Sequence, residues 1–419
     1  MTVQSMTKET RSDFPEERPY DLVLFGATGF TGRIAASYIA SRAKEEAIRW
    51  AIAGRNERAL EEVASEVRDH GMPDRIVADS HQPDTLKTMA ESARVLVNMV
   101  GPYARYAPNV VKAAVEAGTH YVDITGEPDF INETFLRYDE MARQKGVVLV
   151  NACGFDSIPA DLTVWQAVRG VLGKGRVEGD TRSTIEEYLH PIAVRCYVKT
   201  RAQFSGGTLS TVIEAIHRRT KGEKPVRIAY PKSKHAPRIE RKVHRVRDLG
   251  GWAVPMPVAD VEIVRRSAMR MPDQYGQAFS YAQFFVVRRL STVLKLGLLF
   301  GALLVFVRFD GVRSWIRSKT PAGTGPSNDV RASSRFEVTT IAETSGGGRK
   351  TVVMRGGDPG YDETAKMVSE AAFALVEKDR AGTIRGGVLT PAEAMAELLM
   401  RRLKERGIRI EDPHLRAVR

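Results

Sequence analysis

The sequence predicts an α/β protein built on a doubly wound parallel sheet, followed by a region of mixed sheet and closed by helices. Three observations carry this. Six short apolar runs recur through the first third of the chain at spacings of roughly 20 to 28 residues, with helix-like stretches between them. A glycine-rich turn follows the first run and opens the first helix. After about Leu162 the runs become longer and alternate apolar with polar, the period of a mixed or antiparallel sheet.

In chain order the runs are YDLVLF (20–25), RWAIA (49–53), RIVA (75–78), RVLVNMV (94–100), HYVDI (120–124) and VVLVN (147–151). Strands that are apolar throughout belong to a parallel sheet covered by helices on both faces. Gly32–Ala43, Glu57–Arg68 and Pro108–Ala117 supply the first helical patterns. Later segments read as strands are AVRCYVKT (193–200), ADVEIVRR (259–266), SSRFEVTTIAET (333–344) and KTVVMRG (350–356). The Gly346-Gly347-Gly348 turn predicts a hairpin pairing Arg335–Ala342 with Thr351–Arg355. Thr364–Glu377 is amphipathic. A last helix is announced by Thr390-Pro391-Ala392-Glu393, with Thr at the N-cap, Pro at the first helical position and Glu at the third.

With 419 residues, 43% of them hydrophobic and 27% charged, the chain can build two or three cored domains. Its two cysteines, Cys153 and Cys196, provide no disulfide framework, which argues for a reducing compartment. The first 19 residues have no apolar core of a signal peptide and read as a disordered leader. The net charge of +12 is concentrated: twelve Lys/Arg between Arg218 and Arg247 oppose only Glu223 and Glu240, a local excess of +10. Such a block attracts an anion, an acidic carrier protein or a membrane surface, or is simply solvated. One aromatic, three prolines and no surrounding motif exclude nucleic acid. The eight histidines show no metal-ligand spacing, so no metal is expected.

The sharpest motif is Gly26-Ala27-Thr28-Gly29-Phe30-Thr31-Gly32. Between a first strand and a first helix, it is the turn of a Rossmann dinucleotide site. Gly26 permits the tight turn, Gly29 lets the pyrophosphate approach and Gly32 lets the helix pack on the strand. The phosphates then sit at the helix N-terminus. No Lys-Ser/Thr follows, which excludes a P-loop. After the second strand comes Ala53-Gly54-Arg55-Asn56, where an NAD site usually places an acid for the ribose hydroxyl. Arg55 instead matches a 2′-phosphate, so the expected cofactor is NADPH. Asn56 adjoins it, Asp79 is placed to meet the adenine, and Val100-Gly101-Pro102-Tyr103 to line the nicotinamide side.

These segments resemble the saccharopine dehydrogenase-like family, in the branch of the trans-acting enoyl reductases of mycobacterial type. The resemblance rests on GATGFTGR (26–33), AGRN (53–56), VNMVGPYARYA (97–107), YVDITGE (121–127), ACGFDSIPADL (152–162), FSGGTLST (204–211), GTGPS (323–327) and RGGVLTPAEAM (385–395). It implies a Rossmann domain over 20–160, an inserted α+β substrate domain over 161–357, and helices over 358–419 that return to the first domain. The family's amino-acid dehydrogenases carry a D-P-G-type turn after the sixth strand. This chain has Phe155-Asp156-Ser157-Ile158-Pro159, which favours the lipid or polyketide branch over an amino-acid conjugate.

Reducing an enoyl thioester requires a proton donor and a partner for the enolate oxygen beside the cofactor's hydride. Tyr103, at the tip of the fourth strand, is the preferred candidate, or else packs against the nicotinamide. Asp123, Glu127 and Asp156 share the same sheet edge; Asp156 is a second catalytic candidate, and one of the three is expected to hold a loop backbone rather than transfer a proton. Cys153 reads as a packed thiol. Leu296–Val307 is twelve uninterrupted apolar or glycine residues with basic flanks, too short to span a bilayer. Burial, an acyl-chain entry and a membrane interface remain open for it.

The expected function is an NADPH-dependent enoyl reductase acting on a lipid or acyl-thioester substrate presented by an acidic acyl carrier protein. It is expected to be cytoplasmic, with peripheral contact to the inner face of a membrane through 293–307, and a second copy of the chain is a candidate partner. The alternatives are a saccharopine-type C–N dehydrogenase and a non-catalytic NADPH-binding, membrane-associated protein. Because Arg55 replaces the acid, Arg55→Ala is expected to weaken NADPH binding by about 1.5–3 kcal/mol and to spare NADH. Equal affinity of the wild type for the two cofactors, read by fluorescence titration, would overturn this.

Overall fold

The structure is a computed structural model that describes residues 17–173, 191–202, 222–230, 233, 235–256, 259–276, 278–306, 311 and 325–413. Several sequence expectations lie outside these residues. They are the leader up to residue 16, FSGGTLST (204–211), Arg218, Arg219, Lys221, Lys232 and Lys234 of the basic block, and the cations Arg308, Arg313, Arg317 and Lys319.

Seven parallel strands form the first sheet, in the order β13-β6-β5-β4-β1-β2-β3. They are β1 Tyr20–Phe25, β2 Trp50–Gly54, β3 Asp74–Val77, β4 Ala93–Asn98, β5 His120–Asp123, β6 Val148–Val150 and β13 Gly387–Leu389. β1 lies between β2 and β4, with Phe25 opposite both Ala53 and Asn98. Strand order therefore reverses at β1, and the crevice where ligands bind in such sheets opens there, at the carboxyl ends of β1 and β4.

Alternation along the strands divides the core. Leu22, Leu24, Ile52, Val95, Val97, Val122 and Val150 face α1 (Phe30–Ala43), α2 (Glu57–Glu66) and the late helix Asp362–Arg380. Val23, Phe25, Ala53, Leu96, Tyr121 and Leu149 face α3 (Pro83–Glu91), α5 (Pro108–Ala117) and α6 (Pro128–Gln144), while the single turn α4 (Tyr103–Tyr106) precedes α5. Apolar residues of both parities are buried because both faces are covered.

α7 (Ile158–Val171) leads to a second seven-stranded sheet, ordered β14-β12-β11-β7-β10-β9-β8. Its strands are β7 Ile192–Arg201, β8 His244–Val246, β9 Gly251–Pro255, β10 Phe279–Val287, β11 Arg335–Thr344, β12 Arg349–Gly356 and β14 Arg409–Glu411. β7 pairs parallel with β10 and antiparallel with β11, and β11 and β12 form the expected hairpin, with Val338 opposite Met354. α7 packs against β11 and β12, carrying the core from one sheet to the other.

The structure corrects the sequence reading in four places. Residues 259–266 are not a strand: α8 (Asp260–Arg270) occupies them, with Ile263, Val264 and Ser267 buried at helical spacing and Asp260 and Glu262 in its first turn. The C-terminal region is not helical alone: beside α12 (Asp362–Arg380) and α13 (Pro391–Glu405) it supplies one edge strand to each sheet, β13 and β14. Between α8 and α12 run α9 (Pro272–Tyr275), α10 (Leu290–Phe306) and α11 (Asn328–Ser333). Arg18 is not part of a loose leader. Its buried guanidinium donates to the carbonyls of Ala90 (3.0 Å), Ala93 and Ala117 and to the Thr119 hydroxyl, fastening the chain ahead of β1. The capping box at Thr390 is half formed: its hydroxyl accepts the Glu393 N–H at 3.2 Å, but the Glu393 carboxylate takes the Arg270 Nε–H at 2.9 Å.

The glycines of the first turn differ in what they tolerate. A Cβ on Gly32 would stand 2.1 Å from the Gly26 carbonyl oxygen, whereas one on Gly29 meets only that oxygen, at 3.4 Å. Gly32→Ala is expected to cost about 1–3 kcal/mol of stability and lower Tm by several degrees, with Gly29→Ala near the wild type in thermal unfolding.

Candidate active site

The turn of Gly26–Gly32 sits at the crevice. Gly26 takes φ +89°, a backbone only glycine adopts readily, and its N–H donates to Ala53 O at 2.8 Å. Its missing side chain leaves room for Val100, whose Cγ2 would lie 2.8 Å from a Cβ there. α1 begins with no side-chain cap, and the first donor in its ladder is Arg33 N–H, to Gly29 O at 2.8 Å. The N–H groups of Phe30, Thr31 and Gly32 thus point out of the helix end, as an anion requires. Ala27 is buried against the sheet, and the Thr28 methyl lies beside Gly54. The Phe30 ring is covered: Tyr361 meets it edge-on at 4.8 Å, Arg331 lies 5.7 Å from its centre, and a Cβ on Gly325 would be 2.2 Å from it.

At the end of β2, Arg55 is exposed and forms no ion pair among the described residues, while nearby Arg33 is taken by Glu62 and Glu66. Asn56 has a structural duty: its Oδ1 accepts the Ala59 N–H at 3.1 Å and caps α2. Asp79 likewise turns its own loop, accepting the His81 N–H at 2.8 Å.

On the far side of the crevice the edge is built from polar ends of apolar strands. Asn98 donates to the Tyr121 hydroxyl at 3.0 Å and accepts the Val100 N–H at 3.0 Å, and Tyr121 donates to Asp123 at 2.9 Å. Asp123 also accepts from Thr125 N, Asn151 Nδ2 and Ala152 N at 2.7–3.1 Å, so all its capacity is used. Burial pushes its carboxyl up to about 6 against the pull of those hydrogen bonds. Glu127 accepts the N–H groups of Tyr103 (2.8 Å) and Ala104 (3.0 Å), capping α4. Asp123 and Glu127 are therefore the members of the set that hold loop backbone.

Tyr103 is buried. Its hydroxyl donates to Asn98 O at 3.2 Å, its ring packs on Phe130, and burial drives its pKa well above the ordinary phenol value. The expectation that it donates a proton is corrected: a sealed hydroxyl already bonded to a strand end positions Val100-Gly101-Pro102, whose Gly101–Pro102 peptide is cis. Asp156 is the contrast. It keeps an exposed surface, lies with Oδ2 3.0 Å from where a Gly126 Cβ would be, and makes no hydrogen bond or ion pair among the described residues. Crowding by protein pushes its carboxyl up to about 6 by desolvation. Its turn is pinned by Phe155, whose ring meets Phe336 at 4.9 Å and whose N–H donates to Thr364 at 3.1 Å. Beside it, the buried Ser157 Oγ and Asn151 Oδ1 have no partner among the described residues. The sequence reading passed over Asn98, Tyr121, Asn151 and Ser157; the signal was a polar residue at the end of an apolar run. Cys153 is buried with its thiol pushed well up by desolvation, a packed side chain as expected.

A family model described as the saccharopine dehydrogenase NADP binding domain matches residues 22–150. A protein of Mycobacterium tuberculosis is 33% identical over 430 aligned residues, covering 95% of this chain and 98% of its own length. A trans-acting enoyl reductase of Mycobacterium leprae is 31% identical, with 94% and 98% covered. The chain belongs to the saccharopine dehydrogenase-like oxidoreductases, in the branch of the trans-acting enoyl reductases. Among solved structures, apo saccharopine dehydrogenase of Saccharomyces cerevisiae shares the fold, with a TM-score of 0.56, 16% identity, 94% of this chain and all of that one covered.

The protein is an NADPH-dependent oxidoreductase. The turn fits that cofactor: Gly29 is the glycine of the turn whose Cβ the protein itself would accept, and Arg55, just after β2, forms no ion pair among the described residues. Gly29→Val is therefore expected to abolish NADPH binding in a fluorescence titration with little change in thermal unfolding. Retained affinity would place the phosphates elsewhere.

Proposed function

We propose that the protein reduces the carbon–carbon double bond of an enoyl thioester in a lipid or polyketide intermediate, presented in trans by a separate acyl carrier protein. The observation that carries this is Asp156, an exposed carboxyl with no hydrogen bond or ion pair among the described residues, in the turn that follows β6 and beside Gly126 after β5. Bound NADPH supplies the hydride. The turn Gly26–Gly32 would hold its pyrophosphate, Arg55 its 2′-phosphate, and Val100-Gly101-Pro102 would border the nicotinamide side. Asn56 and Asp79 shape the adenine end through their loops. Asp156, protonated, gives its proton to the α-carbon as negative charge develops toward the thioester oxygen, and regains one from water.

Asp156→Asn is expected to lower kcat by about a hundredfold or more while leaving the NADPH Kd unchanged, since general acid catalysis contributes at least that much. The acid is the active form, and its pKa is raised to about 6, so kcat is expected to fall as pH rises through that value. The variant should lose this limb. NADPH oxidation across a panel of enoyl thioesters tests the reaction itself. NADP-dependent oxidation of amino-acid conjugates, with no enoyl turnover, would overturn it.

A further inference from the structure

Two features that the sequence separates meet at one edge of the second sheet. β8 is the edge strand, pairing with β9, and α10 packs against β9 and β10. On α10, Leu290, Leu294 and Leu298 stand exposed at a spacing of four residues, 45%, 63% and 75% accessible, with Gly297 and Gly301 on the same face. That spacing makes a stripe along one side of the helix. Farther along, Phe306 is 53% accessible. Beside the stripe are Arg288, Arg289 and Lys295 on the helix and its approach, and Arg245 and Arg247 lie on and beside β8, the strand next to the β9 that α10 packs against. All five are exposed and form no ion pair among the described residues; Asp248 is the nearby acid in sequence.

From this we infer that the β8–β9 edge and α10 together form a docking surface for an anionic lipid bilayer. A monomeric soluble surface rarely leaves aligned leucines in water, and aligned leucines rimmed by unpaired cations match the boundary between acyl chains and anionic headgroups. Such a helix lies in the interface, burying its apolar side roughly 5–10 Å deep. Its 17 residues span about 26 Å, and no helix among the described residues is long and apolar enough to cross a membrane. The second sheet's other parts stay clear. His244 packs inward against Phe284 (4.9 Å), so β8 turns one side to the core and presents Arg245 outward. The nucleotide turn belongs to the first sheet, so the reductase can dock without covering it. The inference does not rest on the reaction proposed above, and its failure leaves that reading untouched.

The test is flotation of the full chain with vesicles of phosphatidylcholine alone and of phosphatidylcholine mixed equally with phosphatidylglycerol. The wild type is expected to float with the anionic vesicles, less so as salt is raised and exposed charges are screened within about 8–10 Å. Arg245→Glu/Arg247→Glu is expected to lower partitioning by about tenfold or more. Leu294→Asp/Leu298→Asp is expected to abolish it at any salt. Both variants should keep the wild-type NADPH affinity, which shows that they fold. A wild type that binds NADPH but floats with neither vesicle would overturn the inference. So would a leucine variant that turns a dimer into a monomer in light scattering without altering flotation, which assigns the stripe to a second copy. Loss of turnover on carrier-bound substrate alone, with flotation intact in the charge variant, would assign the cations to an acidic carrier and overturn it likewise.

Discussion

Everything at the crevice depends on how the ends of β4, β5 and β6 are tied together. Asp123 is the knot. Its two oxygens receive four donors, from Tyr121, Thr125, Asn151 and Ala152, while Tyr121 itself is held by Asn98. A buried carboxylate is tolerated only when its hydrogen-bonding capacity is met, and here it is met by a phenol hydroxyl, two backbone N–H groups and a side-chain amide, with no cation among the described residues. The result is a rigid edge from which the Phe155–Ser157 turn projects. A partly satisfied network would let that turn drift.

The same economy governs the cofactor side. Gly26, Gly29 and Gly32 serve three separate needs: a left-handed backbone at Gly26, helix–turn contact at Gly32 and open space at Gly29. The turn is then covered by parts of the chain far away in sequence, Gly325, Arg331 and Tyr361, all gathered on Phe30. Arg331 is in turn paired with Asp362 at the start of α12. The nucleotide turn and the second half of the chain are thus packed as one unit, and α12, buried along most of its length, lies on the first sheet between the two.

The carboxylates near the crevice show how one residue type is divided by surroundings. Asp161, on α7, accepts the Ser267 hydroxyl and the Ala392 N–H, joining α7, α8 and α13. Asp260 is buried and bonded to Gln283, with desolvation and the charge of Asp156 raising its pKa. Glu127 caps α4. Each is occupied, whereas Asp156 makes no hydrogen bond or ion pair among the described residues. That distinction is one of geometry, since all of these residues are acids near strand or helix ends.

Much of this was legible in the chain itself. Apolar runs at regular spacing determined the first sheet, because a parallel strand buried on both faces has little freedom in its composition. The glycine turn and Arg55 determined the cofactor class, because phosphate binding is done by backbone and by one fixed charge close in sequence. Strands β8, β9, β10, β13 and β14 were missed or misplaced, since edge and mixed-sheet pairing depends on partners scores of residues away; α8 was read as a strand because its short apolar pattern suits both periods. Only the tertiary structure decided that Tyr103 is buried while Asp156 is left exposed beside Gly126. Sequence places both at strand ends, but which way a side chain turns there is set by what the neighbouring strands already fill. For the same reason only the fold could show that the leucines of α10 and the cations of β8, some forty residues apart, share one edge.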